Sequence, residues 1–310
     1  LMYFTGSKAH NVAIRGRAVR MGLRLNEYGL YPADVDAAEK PRSAACKDEA
    51  AIYRKLGLHY VEPEQREDTG EIAAAETGAL PELITEKDVR GLLHQHTNWS
   101  DGSNTLEEMA QAAIRLGLEY FGITDHSQVA QYARGLQPDR VRQQHEAIDA
   151  LRQKLGDRLT LLKGIECDIL TDGSLDYPDE ILATFDYVVI SVHSQFKLSE
   201  ADQTKRMIKA VSNPYARILG HPTGRLLLSR DPYAVNLRAV LEAAAAHQVA
   251  VEINASPYRL DLDWRECRAA KELGCRFSIN PDAHDIEGLA DERFGIGVAA
   301  KHVQQCNIFN

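Results

Sequence analysis

From residue 89 onward, short apolar runs alternate with longer amphipathic stretches, and each run stops at a polar residue. Val89–Leu93 stops at His94, Tyr120–Thr124 at Asp125-His126, and Leu159–Ile165 at Glu166. Tyr187–Val192 stops at His193, Arg217–Gly220 at His221, Val249–Ile253 at Asn254, and Arg276–Ile279 runs into Asn280-Pro281-Asp282. The stretches between them, such as Thr105–Leu116, Pro138–Leu155 and Leu237–His247, have the length and composition of helices. Strands alternating with helices predict parallel βαβ units and an α/β fold. Seven such strands suit a TIM-like β/α barrel better than an open sheet, because a barrel gathers the polar strand ends at one mouth.

The first 88 residues follow another pattern. His10–Leu25 reads as a helix after the Thr5-Gly6-Ser7 turn, with Ser7 as its cap. A loop is expected at Tyr31–Asp36, a second helix near Asp48–Leu56, and an acidic, proline-bearing linker with a short helix from Val61 to Asp88. Charge separates the regions: the 310 residues sum to −9, yet residues 1–31 carry +4 and the remainder −13. A content of 44% hydrophobic and 26% charged residues fits a soluble globular protein. No apolar run approaches the ~20 residues that span a membrane, and residues 1–31 lack the apolar core of a secretory signal. The five cysteines (Cys46, Cys167, Cys267, Cys275, Cys306) are scattered and form no CxxC. They argue against a disulfide framework or a thiolate zinc site and for a reducing cytoplasm.

Candidate chemistry is concentrated at the strand ends. In extended backbone, residues two apart project to the same side, so His94 and His96 can reach one cation. Asp101 follows on a Trp99-Ser100-Asp101-Gly102 turn, and His126, Glu166, His193, His221, Asp282 and His284 take equivalent places in later units. Six of the eleven histidines thus fall at strand ends, whereas His145 and His247 fall within predicted helices, and His10, His59 and His302 stand outside the pattern. Nine such ligands exceed the four of a tetrahedral zinc site. They suit two or three divalent ions bridged by a carboxylate, an arrangement used for phosphoryl-ester hydrolysis. Mixed His/carboxylate sets accept Mn, Zn or Fe. A phosphate-cradling glycine loop and a GxSxG nucleophile turn are both missing from the sequence. Arg134, Lys197, Arg225 and Arg259 lie a few residues beyond strand ends, where cations would hold phosphate groups or stand as solvated surface charges. Phe196 and Tyr258 are candidates either to stack a base or to pack, Asn254 to orient a water or satisfy backbone groups, and Cys167 to pack in the core.

These residues sit in motifs that resemble a known family. His94-Gln95-His96-Thr97, Ile123-Thr124-Asp125-His126, Gly164-Ile165-Glu166, Ser191-Val192-His193-Ser194, Gly220-His221-Pro222 and Asn280-Pro281-Asp282-Ala283-His284 resemble the polymerase and histidinol phosphatase (PHP) domain. The resemblance implies a distorted seven-stranded barrel with a trinuclear metal site. Its ligands would be His94, His96, Asp101, His126, Glu166, His193, His221, Asp282 and His284. Tyr3-Phe4-Thr5-Gly6-Ser7, Asn11, Arg15, Leu25-Asn26-Glu27-Tyr28, and the later stretches Glu49–Leu58 and Pro63–Glu67 resemble the thumb of family X DNA polymerases. That likeness implies that Tyr3, Phe4 and Gly6 pack against an incoming deoxyribose, Asn11 meets the base edge and Arg15 lies near the template.

The two resemblances together imply a thumb-like segment at 1–67, an acidic linker at 68–88 and a PHP barrel at 89–310. Bacterial family X polymerases fuse such parts, and their metal-binding aspartates precede the thumb. This chain is therefore expected to be the C-terminal part of such an enzyme, with DNA and the polymerase core of the parent chain as partners. Asp34-Val35-Asp36 reads as an acidic loop instead. The implied activity is a metal-dependent 3′→5′ exonuclease of DNA repair, with Mn favoured. Glu166 would bridge ions, and Asp282 would act as ligand and proton acceptor. Two alternatives are a small-molecule phosphomonoesterase of the histidinol-phosphatase type and an inactive structural PHP module. The thumb-like residues argue against the first, and the complete ligand set argues against the second.

Overall fold

The structure is a computed structural model that describes residues 1–33, 46–300 and 308; Asp34-Val35-Asp36, His302 and Cys306 lie outside the described residues. The chain divides into two compact units, Leu1–Glu82 and Leu83–Asn310.

In the first unit, α1 (Lys8–Arg20) starts where Ser7 accepts the His10 N–H at 3.1 Å, the expected cap. The helix does not continue to Leu25. Gly22, at φ +70°, turns the chain out of it, and β1 (Leu23–Asn26) pairs antiparallel with β2 (Gly29–Pro32). Asn26 Oδ1 closes that hairpin by accepting the N–H groups of Tyr28 and Gly29. Asp48 caps α2 (Glu49–Lys55), and α3 (Glu71–Thr77) follows within the acidic stretch expected as linker. The core beneath is Ile14, Ala18, Leu30, Tyr53, Leu56, Leu58, Val61 and Ala75, so α3 is part of this unit's packing.

The second unit carries seven parallel strands in sequence order: β3 (Gly91–Leu92), β4 (Tyr120–Ile123), β5 (Thr160–Asp168), β6 (Tyr187–Ser191), β7 (Ala216–Leu219), β8 (Ala250–Asn254) and β9 (Phe277–Asn280). Helices α4 (Leu106–Arg115), α5 (Pro138–Leu155), α6 (Asp179–Leu182), α7 (Glu200–Val211), α8 (Leu237–Ala246) and α9 (Trp264–Glu272) connect them, and α10 (Glu292–Ala299) follows. Past the ends of β9 and β3, Gln95 bridges Ala283 in parallel and the His96 N–H donates to Ala283 C=O at 2.8 Å. The sheet thereby approaches closure, as a β/α barrel requires. His247 caps α8 at its C-terminal end rather than lying inside it.

Alternation along the strands sorts the side chains. On β6, Val188 and Ile190 join the helix-facing core, while Tyr187 and Val189 join Leu93, Ile218 and Ala250 inside the barrel. Tyr187 plugs this floor by donating to Leu93 C=O at 2.9 Å. Only glycine fits beside it at position 122, where a Cβ would fall 1.9 Å from the Tyr187 hydroxyl. The same inward register on β5 runs Leu162, Gly164, Glu166, Asp168, and on β8 Ala250, Glu252, Asn254. The barrel interior thus passes from apolar at one end to acidic and ligating at the other. No helix of the described residues is long and apolar enough to cross a membrane.

Candidate metal centre

All nine side chains singled out at strand ends meet at that polar end, around Glu166. Its Oε1 lies 2.9 Å from His221 Nε2, 3.2 Å from His193 Nε2 and 3.3 Å from His94 Nε2. Its Oε2 lies 3.0 Å from His126 Nδ1 and 3.6 Å from His96 Nε2. Asp282 Oδ1 is 3.1 Å from His96 Nε2 and 3.5 Å from His94 Nε2. Asp101 faces His284 at 3.5 Å, His126 at 3.6 Å and His96 at 3.8 Å. Three groups have ligand atoms within 4.8 Å of one another: His96, Asp101, His126 and His284; His94, His96 and Asp282; and His126, Glu166 and His193. Shared members join the groups into one cluster.

The loops that supply these residues are bent to do so. His221 and Asp282 are non-glycine residues at positive φ, 24° and 55°. Such backbone costs of order 1–3 kcal/mol and persists where surrounding contacts hold it. Burial favours neutral ligands, and the packed charges oppose it at some positions and not at others. Burial opposes charge on His94, yet Glu252, Asp282 and Glu166 push its pKa well above the ordinary value. Against the same burial, Glu166 and Asp168 raise His193 to about 10. Burial, with His284 and His126 alongside, lowers His96 to about 3. Glu166 and Asp282 are held well below the carboxylate range, despite burial, by the surrounding histidines.

The donor set fits divalent cations. His94 Nε2, His96 Nδ1, His126 Nδ1, His221 Nδ1 and Glu166 Oε2 are buried without a hydrogen-bond partner, a costly state for polar atoms unless something else binds them. The nitrogens facing away are held. His94 Nδ1 pairs with Glu252 at 2.7 Å, His193 Nδ1 with Asp168, and His284 Nδ1 with Asp282 C=O at 2.9 Å. Imidazole ligands of metals are oriented in this way, through the ring nitrogen that the ion does not take.

Glu252 and Asp168 were not among the sequence candidates. Their signal was a carboxylate inside an apolar strand (Val251-Glu252-Ile253) and one in register with Glu166 two residues on. Glu252 also accepts from the His221 N–H, Asn254 and Asn280. Asp125 is a second buried hub, accepting from Thr97, Ser100 and Gln144, and it shapes the Asp101 turn. Asn254 donates to Asp282 Oδ2 at 3.1 Å.

The four cations sort differently. Arg259 Nε lies 3.4 Å from Asp282 Oδ2, and its Nη1 is buried without a partner. Arg225 spends its guanidinium on Arg259 C=O, Leu260 C=O and Asp263, tying loops together. Arg134 and Lys197 are exposed. Phe196 packs against Tyr233 and under Arg230, whereas Tyr258 is exposed. Cys167 is buried in the helix-facing core.

In the first unit, Tyr3, Asn11 and Arg15 line one groove of about 590 Å³ with Asn26, Tyr28 and Ile52. The Arg15 guanidinium lies 4.8 Å over the Tyr3 ring, and Asn11 Nδ2 donates to Ser7 C=O at 3.1 Å. Phe4 meets Tyr3 edge to face and is otherwise exposed. Gly6, at φ +77°, presses the turn onto buried Arg66, where a Cβ would fall 2.3 Å from that residue's own Cβ.

The barrel and its ligand cluster define a PHP domain: that family matches residues 93–256, and the chain belongs to it. Asp282 and His284 lie beyond the matched segment and join it through space. Residues 1–67 match the DNA polymerase beta thumb family, so a thumb and a PHP domain follow one another in this chain. The chain is 40% identical over 301 residues to the DNA polymerase/3'-5' exonuclease PolX of Bacillus subtilis, covering 97% of this chain and 51% of that protein. It therefore spans about half the length of that relative. It is 32% identical to a "Probable phosphatase" of Caldanaerobacter subterraneus, over 62% of this chain and 74% of the relative. A crystal structure of histidinol phosphate phosphatase from Lactococcus lactis, in complex with zinc, L-histidinol and phosphate, shares the fold. It aligns with a TM-score of 0.50 at 20% identity, over 70% of this chain and 95% of the other.

Proposed function

We propose that this chain is a metal-dependent phosphodiesterase acting on DNA, the 3′→5′ exonuclease portion of a family X polymerase that serves repair in the cytoplasm. One observation carries the reading: eight ligand side chains surround Glu166 at the mouth of a barrel that follows a polymerase thumb. The named activity of the Bacillus subtilis relative supports it. His94, His96, Asp101, His126, Glu166, His193, His221, Asp282 and His284 would hold two or three divalent ions, Mn for activity, with Zn or Fe as other occupants. Bound there, such ions supply Lewis-acid polarisation of the phosphoryl group and neutralise developing charge.

The remaining steps belong to the chain's own groups. Glu166 offers both oxygens to different histidines and so keeps the ligand set together. Asp282, flanked by Asn254 and Arg259, is positioned to accept a proton from the attacking water. Arg259 has an unsatisfied nitrogen to offer a phosphate oxygen, and exposed Arg134 and Lys197 would add further phosphate contacts. Arg225 acts through the Arg259 loop that it ties down. Tyr3, Phe4, Gly6, Asn11 and Arg15 would contact primer–template DNA, supplied together with the polymerase core.

The test is degradation of 3′- and 5′-labelled single strands with Mn, Zn, Fe and Mg, beside a small phosphomonoester. Asp282→Ala should lose strand degradation by at least about 10³-fold while keeping the fold. Retained nuclease activity in that variant refutes the assignment. Turnover of the phosphomonoester alone would favour the phosphatase reading.

A further inference from the structure

Past His126 the chain forms a single 3₁₀ turn, Gln131–Ala133, whose middle residue is Tyr132. The turn is tied back firmly. Ala130 and Ala133 are buried, the Gly135 N–H donates to Ala130 C=O, and the Leu136 N–H returns to His126 C=O at 2.8 Å. Arg140 holds the following corner through Arg134 C=O at 2.9 Å. Despite this anchoring, Tyr132 is 72% exposed. A large aromatic left uncovered on a fixed turn forgoes burial that would stabilise the fold.

Its position is specific. The ring centroid is 6.1 Å from that of His126, inclined by 58°. Partial desolvation of the phenol, then the charges of Asp168, Glu166 and Asp101, raise its pKa, and Arg259 opposes them. The ring therefore stands beside His126, one of the ligands at the mouth. Among the described residues no acceptor takes a hydrogen bond from its hydroxyl. A phenol is neutral, so it can stand beside an acidic cluster and still offer an O–H to an anion.

We propose that Tyr132 is a substrate-contacting residue whose hydroxyl donates a hydrogen bond to a non-bridging phosphoryl oxygen of the group held at the mouth. The inference rests on the phosphoesterase reading above and adds a residue to it. The competing role for the same side chain is stacking of the ring on a base, which would not need the hydroxyl.

The test uses the full chain with Mn, an oligothymidylate carrying a 5′ label, and p-nitrophenyl phosphate. Tyr132→Phe should lower kcat/KM about tenfold on whichever substrate is turned over, at unchanged bound metal. Tyr132→Ala should lower it about a hundredfold on the oligonucleotide. Sulfur placed at each non-bridging oxygen in turn should slow the wild type more at one diastereomer, and Tyr132→Phe should lose that difference; a merely structural tyrosine would not alter it.

Tyr132→Phe within twofold of wild type overturns the proposal, and a loss confined to Tyr132→Ala assigns the ring to stacking. Loss of bound metal in Tyr132→Phe also overturns it, by making the residue a support of the centre. A wild type active only on p-nitrophenyl phosphate sinks the DNA reading, and a tenfold effect there upholds Tyr132. A wild type inactive on both sinks the two together.

Discussion

Both units of this chain bury a histidine against a carboxylate, and they do so with opposite outcomes. In the first unit, His10 Nδ1 meets Glu71 at 2.5 Å and His10 Nε2 meets the Tyr53 hydroxyl at 2.9 Å. Glu71 also accepts the N–H groups of Asp68 and Thr69. Each polar atom of that triad has a partner, so the network pins α1, α2 and α3 together and has no capacity left. In the barrel, His94, His96 and His221 are just as buried, but His94 Nε2, His96 Nδ1, His126 Nδ1, His221 Nδ1 and Glu166 Oε2 have no hydrogen-bond partner. A closed network reads as architecture. An open one, with unpartnered ring nitrogens and the far nitrogens of His94 and His193 fixed by Glu252 and Asp168, reads as a site that can hold cations.

Breaking each network separately tests that distinction. The largest effect is expected at Glu166→Gln, which removes the charge shared by His94, His96, His126, His193 and His221. Bound metal should fall below wild-type stoichiometry and phosphodiester cleavage by at least about 10³-fold, roughly 4 kcal/mol of transition-state stabilisation. Element analysis and single-turnover assays read the two losses, and full metal content with full activity would contradict the assignment. Next comes His10→Ala, which strands Glu71 and Tyr53 in the interior of the first unit. It should cost about 2–4 kcal/mol of that unit's stability in denaturant unfolding. Metal content should stay at the wild-type level; a drop would mean that the two networks are not independent.

How far the sequence carried this picture depends on what kind of signal each residue left. Five of the nine ligand residues, His94, His126, Glu166, His193 and His221, were legible because an apolar run stops at each, and His96, Asp101, Asp282 and His284 because they follow a short way beyond such stops. Their supports were not. Glu252 and Asp168 lie within strands, where a charge reads as an interruption until its partner across the barrel is known. The β1–β2 hairpin was hidden because Leu23, Leu25 and the preceding α1 residues fit a continuing helix, although Gly22 marks the stop. Arg225 and Arg259 occupied equivalent places in the pattern. Only the path of their loops decides that one binds carbonyls and the other meets Asp282.

The smallest predicted effect concerns a group that is neither closed nor open. Asp261 is fully buried beside the metal centre's loops, with Oδ2 accepting the Thr223 N–H at 3.0 Å and Oδ1 unpartnered. Burial raises its pKa from 3.8 to about 6, against the pull of Thr223, Arg225 and Arg259. The folded state thus holds this proton more tightly than the unfolded chain. The resulting stability is fully present below the unfolded value and is lost as pH rises through the folded one. Between about pH 4 and pH 7 the wild type should lose up to about 3 kcal/mol relative to Asp261→Asn, which carries no titrating group there. Paired denaturant unfolding at several pH values checks the trend, since contributions common to both proteins cancel. A difference that stays flat across that window would mean that Asp261 is ionised throughout, with its second oxygen satisfied by a partner such as an ordered water.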